Sequence, residues 1–204
     1  MQQQIVLASR NPGKIEEFRE LLAPLGLTVV SLLDLPEIPD IVEDGDTFYA
    51  NARIKAEAVC QATGLSTLAD DSGLVVHYLG GAPGVHSARF ALPEAGDVAN
   101  NAKLLSVLEH VPEYKRQAHF TAVLAWARPG GTTRFTTGRC FGVIAKRPRG
   151  DHGFGYDPLF YMPELGKTMA EIDNELKNQI SHRAKATQHM LLMLNATYSG
   201  CSAS

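Results

Sequence analysis

The chain is predicted to be an α/β protein, and three observations carry that prediction. Ile5-Val6-Leu7-Ala8 is a short, wholly apolar run, as expected of a strand buried on both faces. A loop, an amphipathic helix and a second strand follow it, the alternation that builds a sheet covered by helices. The composition is ordinary for a globular chain, with 45% hydrophobic and 20% charged residues in 204. That length suffices for one large domain or two small lobes around a sizeable core.

Asn11-Pro12-Gly13 breaks the first strand. Lys14–Leu22 then reads as a helix with Ile15, Phe18 and Leu22 on one face, and Gly26 closes it. Thr28-Val29-Val30 opens the next strand. Residues 34–46 are loop-like, with Pro36, Pro39 and an acidic cluster of Glu43, Asp44 and Asp46. Thr47 is placed to cap a long helix reaching about Ala62. Thr67–Ala69 and Leu74–Tyr78 read as two strands flanking a turn at Asp70-Asp71-Ser72-Gly73, and Gly80–Gly84 as a loop. Asp97–Glu109 is helical. Gln117–Ala127 and Thr132–Ala145 read as strands joined at Pro129-Gly130-Gly131, a hairpin signal. Gly150–Pro158 is loop-rich, and Lys177–Asn195 closes the chain as one helix. Ser199–Ser204 is expected to fray.

Bulk properties exclude several classes. The net charge of −3 gives no global electrostatic case for nucleic acid, so a phosphate-bearing ligand needs a local basic site. Cys60, Cys140 and Cys201 are scattered without a CxxC or Cys/His cluster, which argues against zinc and iron–sulfur sites. An odd cysteine count fits a reducing compartment. The N-terminal segment has neither a basic region nor a long apolar core, and no stretch reaches membrane-spanning length. A cytoplasmic protein without a membrane partner is the expectation.

Five segments bear chemistry. Asp70 and Asp71 are adjacent carboxylates, which disfavour joint ionisation unless a metal or a positive ligand complex offsets them. Taken alone, Asp-Asp-Ser-Gly also suits a turn. Ser9-Arg10-Asn11-Pro12-Gly13-Lys14 lies between strand and helix, where backbone amides and a lysine suit phosphate. It is not a Walker A loop, which needs Gly where Ala8 stands and Ser or Thr where Ile15 stands. Asn51 and Lys55 share one helix face, and Lys55 sits in an apolar setting. Gly153-Phe154-Gly155-Tyr156-Asp157-Pro158 offers close backbone approach, stacking aromatics and a carboxylate for ring N–H groups. Lys177 and Ser181-His182-Arg183 add donors.

Together these pieces form a kit for a nucleotide, and here the sequence resembles the inosine triphosphate pyrophosphatase family. The matching segments are Ser9–Lys14, Phe48-x-x-Asn51-Ala52-x-x-Lys55-Ala56, Ala69–Leu74, Gly80–Gly84, Gly153–Pro158 and Ile180–Arg183. Each is weak alone; six in family order across nearly the whole chain are specific. The resemblance implies a single domain over residues 1–198, with 199–204 a disordered tail. It implies a long mixed central sheet flanked by helices, in two lobes around a nucleotide-binding cleft. It further implies an Mg²⁺-dependent pyrophosphohydrolase of ITP, dITP and XTP that forms a homodimer. Glu43 and Asp71 match the metal positions, and Asp71 the catalytic base. Asn11, Lys14 and Lys55 match phosphate-side positions, Ser9, Arg10, Pro12 and Gly13 substrate-binding positions of the same loop, and Ser72 a substrate contact. Phe154, Gly155, Tyr156, Asp157, Lys177, His182 and Arg183 match nucleotide and base contacts. Ala50 departs from relatives that carry an acidic residue there. A related pyrophosphatase for modified pyrimidine nucleotides, or a nucleotide-binding module without turnover, are the alternatives.

Overall fold

A computed structural model describes residues 4–92 and 96–198. The expected tail at 199–204 lies outside them. Seven strands form one sheet in the order β2-β1-β3-β4-β5-β6-β7. The strands are β1 (Gln4–Leu7), β2 (Thr28–Ser31), β3 (Thr67–Val76), β4 (Gln117–Ala127), β5 (Arg134–Ile144), β6 (Phe160–Met162) and β7 (Lys167–Thr168). β1 pairs in parallel with β2 and β3, while β5–β6 and β6–β7 are antiparallel, so the sheet is mixed. The helices are α1 (Pro12–Leu22), α2 (Phe48–Thr63), α3 (Gly96–Val107), α4 (Asn174–Ile180) and α5 (His182–Tyr198). No helix among the described residues is long and apolar enough to cross a membrane.

Helix ends follow from local chemistry. The Asn11 side chain accepts from the Lys14 N–H at the start of α1, with Pro12 in the first turn, where its missing N–H costs nothing. The Thr47 side chain caps α2 by accepting from the Ala50 N–H, and Gly64 ends α2 in the left-handed conformation.

Two expectations are corrected. Residues 67–76 form one continuous strand with no turn at Asp70–Gly73. The closing helix is two helices, because Ser181 is extended at φ −66° and ψ 161°. The strands β6 and β7 are three and two residues long, too short to leave a periodic signal.

The chain divides into two compact units. The first comprises residues up to Asp71, Ala122–Gly138 and those from Arg183 onward; the second comprises Ser72–Thr121 and Arg139–His182. Strand alternation organises the first unit. Ile5, Leu7, Leu68, Ala122, Leu124 and Trp126 pack with Ile15 and Phe18 of α1 and Met190 and Leu194 of α5. Val6, Ala8, Ala69, Val123, Ala125 and Ala127 pack with Ala52, Ala56 and Val59 of α2. Successive strand residues therefore serve opposite helix layers. In the second unit, Leu74 and Val76 pack with Leu104, Leu108, Phe120, Ile144 and Phe160.

Candidate active site

The alternation that sends Leu68 to the α1/α5 side and Ala69 to the α2 side continues into the two aspartates. Asp70 emerges beside α1 and α5. Its Oδ2 lies 2.6 Å from Lys14 Nζ and 3.6 Å from Arg183 Nη2. Asp71 emerges beside α2, with Oδ1 3.5 Å from Lys55 Nζ. Each buried carboxylate thus has a different nearest cation.

Their protonation diverges accordingly. Burial alone would raise the Asp70 carboxyl, but Lys14 and Arg183 outweigh it and hold Asp70 well below the usual carboxylate range. For Asp71 burial dominates, reinforced by Glu43 and Asp70 against Lys55 and Lys14, and its pKa is pushed up to about 6. The Lys14 ammonium is lowered by burial, with Lys55 and Arg183 adding to the fall and Asp70 opposing it.

Lys55 organises the α2 side. Its Nζ donates to Glu43 Oε2 at 2.8 Å and to the Asp70 carbonyl at 2.8 Å, besides facing Asp71. Burial opposes its charge, but Asp71 and Glu43 prevail and raise its pKa. The acidic loop is fastened by Asn51, whose Oδ1 accepts from the Gly45 N–H at 2.8 Å. A Cβ at residue 45 would lie 2.6 Å from Ala50 Cβ, so only glycine permits this approach.

Glu43 and Asp71 converge on one ammonium, and Asp71 Oδ2 is buried without a hydrogen-bond partner. No group of three or more His, Cys, Asp or Glu side chains among the described residues could hold a metal ion. Two carboxylates suit a hard cation that retains waters and takes substrate phosphates as further ligands. The donor set therefore fits Mg²⁺.

The Ser9–Lys14 loop divides its labour. Ser9 Oγ accepts from the Asn11 N–H, and Asn11 caps α1. Arg10 donates to Asp40 at 2.9 Å and to the Leu32 and Ile38 carbonyls, so it fastens the 32–40 segment. Pro12 and Gly13 begin α1. Lys14 is the residue of this loop that pairs with Asp70. Arg183 joins this group, since its Nη1 pairs with Glu17 Oε2 of α1 as well as facing Asp70.

The second unit carries a separate set. Asp157 Oδ2 accepts from Lys177 Nζ at 2.8 Å and from the Phe154 N–H at 3.1 Å. Lys177 Nζ lies 4.9 Å from the Phe154 ring centroid. Gly153 has φ +76°, and a Cβ there would fall 2.1 Å from Asp157 Oδ2. Tyr156 is buried, its hydroxyl donating to the Ser87 carbonyl at 2.8 Å. His182 stacks on Phe120 at 4.8 Å between centroids. Ser72 is half-buried.

Two α3 residues escaped the sequence reading. Asp97 Oδ2 accepts from the Gly155 N–H at 2.7 Å, and Asn101 Nδ2 donates to the Gly155 carbonyl at 2.8 Å. Both backbone groups of Gly155 are thus held from one helix face. Their i, i+4 spacing was a usable signal. Glu17 also escaped notice; it lies four residues before the next turn's apolar Leu21 and reads as a solvated helix position.

The Ham1 family pattern matches residues 5–193. The chain is 55% identical to the dITP/XTP pyrophosphatase of Geobacillus kaustophilus, over 90% of each chain. It is 52% identical to the dITP/XTP pyrophosphatase of Desulforamulus reducens, over 95% of this chain and 96% of that one. The solved structure of a HAM1 protein from Coxiella burnetii superposes with a TM-score of 0.86 at 41% identity, covering 95% of this chain and 99% of that one. The Staphylococcus aureus Ham1 protein gives 0.85 at 40% identity, covering 96% and 100%. On sequence, coverage and fold, the chain belongs to the Ham1 family.

Proposed function

We propose that this protein is a nucleoside triphosphate pyrophosphohydrolase. It converts ITP, dITP and XTP to the monophosphate and pyrophosphate, and so clears deaminated purines from the nucleotide pool. The observation that carries this reading is the divergence of Asp70 and Asp71. One carboxylate is fixed beside Lys14 and Arg183, and its neighbour faces Lys55 beside Glu43 with its Oδ2 buried and without a hydrogen-bond partner. The dITP/XTP pyrophosphatase names of relatives at about half identity support the substrate class.

Asp71 acts as the general base. A group poised near working pH accepts a proton efficiently yet is largely ionised at pH 7. Water attacks the α-phosphorus, its proton passes to Asp71 Oδ2, and the bond from α-phosphorus to the bridging oxygen breaks, releasing pyrophosphate. Lys14 and Arg183, oriented by Asp70, neutralise charge on the departing group. Lys55 holds Glu43 and Asp71 in place. Glu43 and Asp71 would hold Mg²⁺, which when bound screens the triphosphate and lowers the pKa of a bound water. In the second unit, the Phe154–Asp157 loop with Lys177 and His182 reads the base, and Ser72 contacts the substrate. Residues 1–198 serve as one catalytic domain, in a cytoplasmic homodimer with no nucleic-acid or membrane partner.

A pyrophosphate-release screen over common and deaminated triphosphates, with Mg²⁺ and with EDTA, tests this. ITP, dITP and XTP should be hydrolysed best, with IMP and pyrophosphate from ITP, and EDTA should abolish turnover reversibly. IDP and phosphate as primary products would overturn the mechanism.

A further inference from the structure

The first unit holds a pocket of about 580 Å³ lined by α2 and the β4–β5 hairpin. That volume is within the range of small-ligand sites. Arg53 and Glu57 line it from α2, and Arg128, Thr132 and Thr133 from the hairpin. None of these residues belongs to the sets described above.

The arginines are held ready but weakly spent. Arg128 lies 4.8 Å from the Trp126 ring centroid, and its Nε is buried without a hydrogen-bond partner. No carboxylate among the described residues pairs with Arg128. Arg53 stacks 5.1 Å from the Phe135 ring centroid and reaches Glu57 only at 4.0 Å. The Thr133 hydroxyl donates to Glu57 Oε1 at 2.6 Å, so the one carboxylate of the pocket already has a donor. A guanidinium laid flat on an aromatic ring keeps its N–H edge in a fixed orientation. A buried N–H without an acceptor costs free energy that an incoming oxyanion recovers.

We propose that this pocket is a second anion site, binding phosphate-bearing small molecules through Arg128, Arg53 and the Thr132 hydroxyl. Donors on three residues suit the divergent oxygens of a tetrahedral phosphate better than a planar carboxylate. Inorganic phosphate, pyrophosphate and a nucleoside monophosphate share this chemistry.

Trp126 is the single tryptophan of the chain, so its emission reports directly on Arg128. Wild-type protein is titrated with phosphate, pyrophosphate, IMP and citrate at constant ionic strength. A saturable change with at least one of the three phosphates is expected, and which one responds identifies the source. Arg128→Gln should raise the half-saturating concentration at least about tenfold, the loss of one charged hydrogen bond, while ITP hydrolysis stays at the wild-type rate. Arg53→Gln, which leaves the Trp126 contact intact, should weaken the response in the same direction. Lys14→Ala should lose hydrolysis yet keep the Trp126 response. No saturable change with any phosphate overturns the proposal. So does a response to citrate alone, or one that Lys14→Ala abolishes and Arg128→Gln retains. Hydrolysis is measured separately, so failure here and failure of the pyrophosphohydrolase reading are distinguishable.

Discussion

Asp70 and Asp71 are sequence neighbours that project from opposite faces of β3, Asp70 onto Lys14 and Asp71 toward Lys55. The strand's two-residue period assigns them to different helix layers. Each layer then sets a different protonation state from the same chemical group.

Asp71→Asn should lower turnover about 10²–10⁴-fold while nucleotide binding persists. The same variant carries a stability signature in EDTA. The folded Asp71 has a pKa of about 6 against about 4 unfolded. The native state therefore binds more protons between those values, and stability falls as pH rises through that window. At pH 7.5 the penalty is fully present, so Asp71→Asn should gain about 1–3 kcal/mol there and close to nothing near pH 4. Urea unfolding at the two pH values checks this. A gain independent of pH would contradict the raised carboxyl.

Why the sequence pointed to a turn at this site is now physical. Turn propensity is local, and Asp-Asp-Ser-Gly scores well on it. Incorporation of β3 into the sheet between β1 and β4, and cations delivered by α1, α2 and α5, are non-local and override it. The start of α2 was legible because the Thr47 cap acts within three residues, whereas α1 begins at Pro12 behind an Asn11 cap, two residues before the Lys14 start read from the sequence. The break at Ser181 was not legible, since the apolar pattern on either side runs on. His182 and Arg183 both follow that break as the first two residues of α5, His182 stacking on Phe120 and Arg183 joining the Lys14 group.

Asp70→Asn should destabilise the fold by about 3–5 kcal/mol, because Lys14 and Arg183 would lose the buried charge between them. Asp70 is depressed when folded, so its stabilisation is present above the unfolded pKa and lost only as pH falls through the lower folded one. The difference between wild type and variant should thus stay level from about pH 5 to 8 and narrow progressively as pH falls through about 4 and below. Denaturant titrations across that range measure it.

Asn101→Ala removes the donor to the Gly155 carbonyl and leaves the Asp97 contact to the Gly155 N–H. Losing one such hydrogen bond costs about 1 kcal/mol. The loop should become less ordered without losing the reacting groups, so KM for ITP should rise roughly fivefold with kcat nearly unchanged. Steady-state kinetics separates the two parameters. A fall in kcat at constant KM would place Gly155 in the chemistry rather than in substrate recognition.

Arg183 offers the sharpest comparison between expectation and placement. The resemblance associates it with the base, where its loss would hurt ITP far more than ATP. Its guanidinium instead faces Glu17 and Asp70 beside Lys14, with its side chain almost wholly buried. From that position we propose that it acts on the triphosphate, which ITP and ATP share. Arg183→Gln should therefore lower kcat/KM for both substrates by a similar factor, roughly 10- to 150-fold for one charged hydrogen bond. The ratio of the two kcat/KM values should not move. His182→Ala supplies the contrast, because His182 stacks with Phe120 in the unit that carries the Phe154–Asp157 loop. It should narrow the ratio by weakening ITP selectively. Measuring both substrates in both variants decides the matter: a ratio that narrows in Arg183→Gln and holds in His182→Ala would return Arg183 to base recognition.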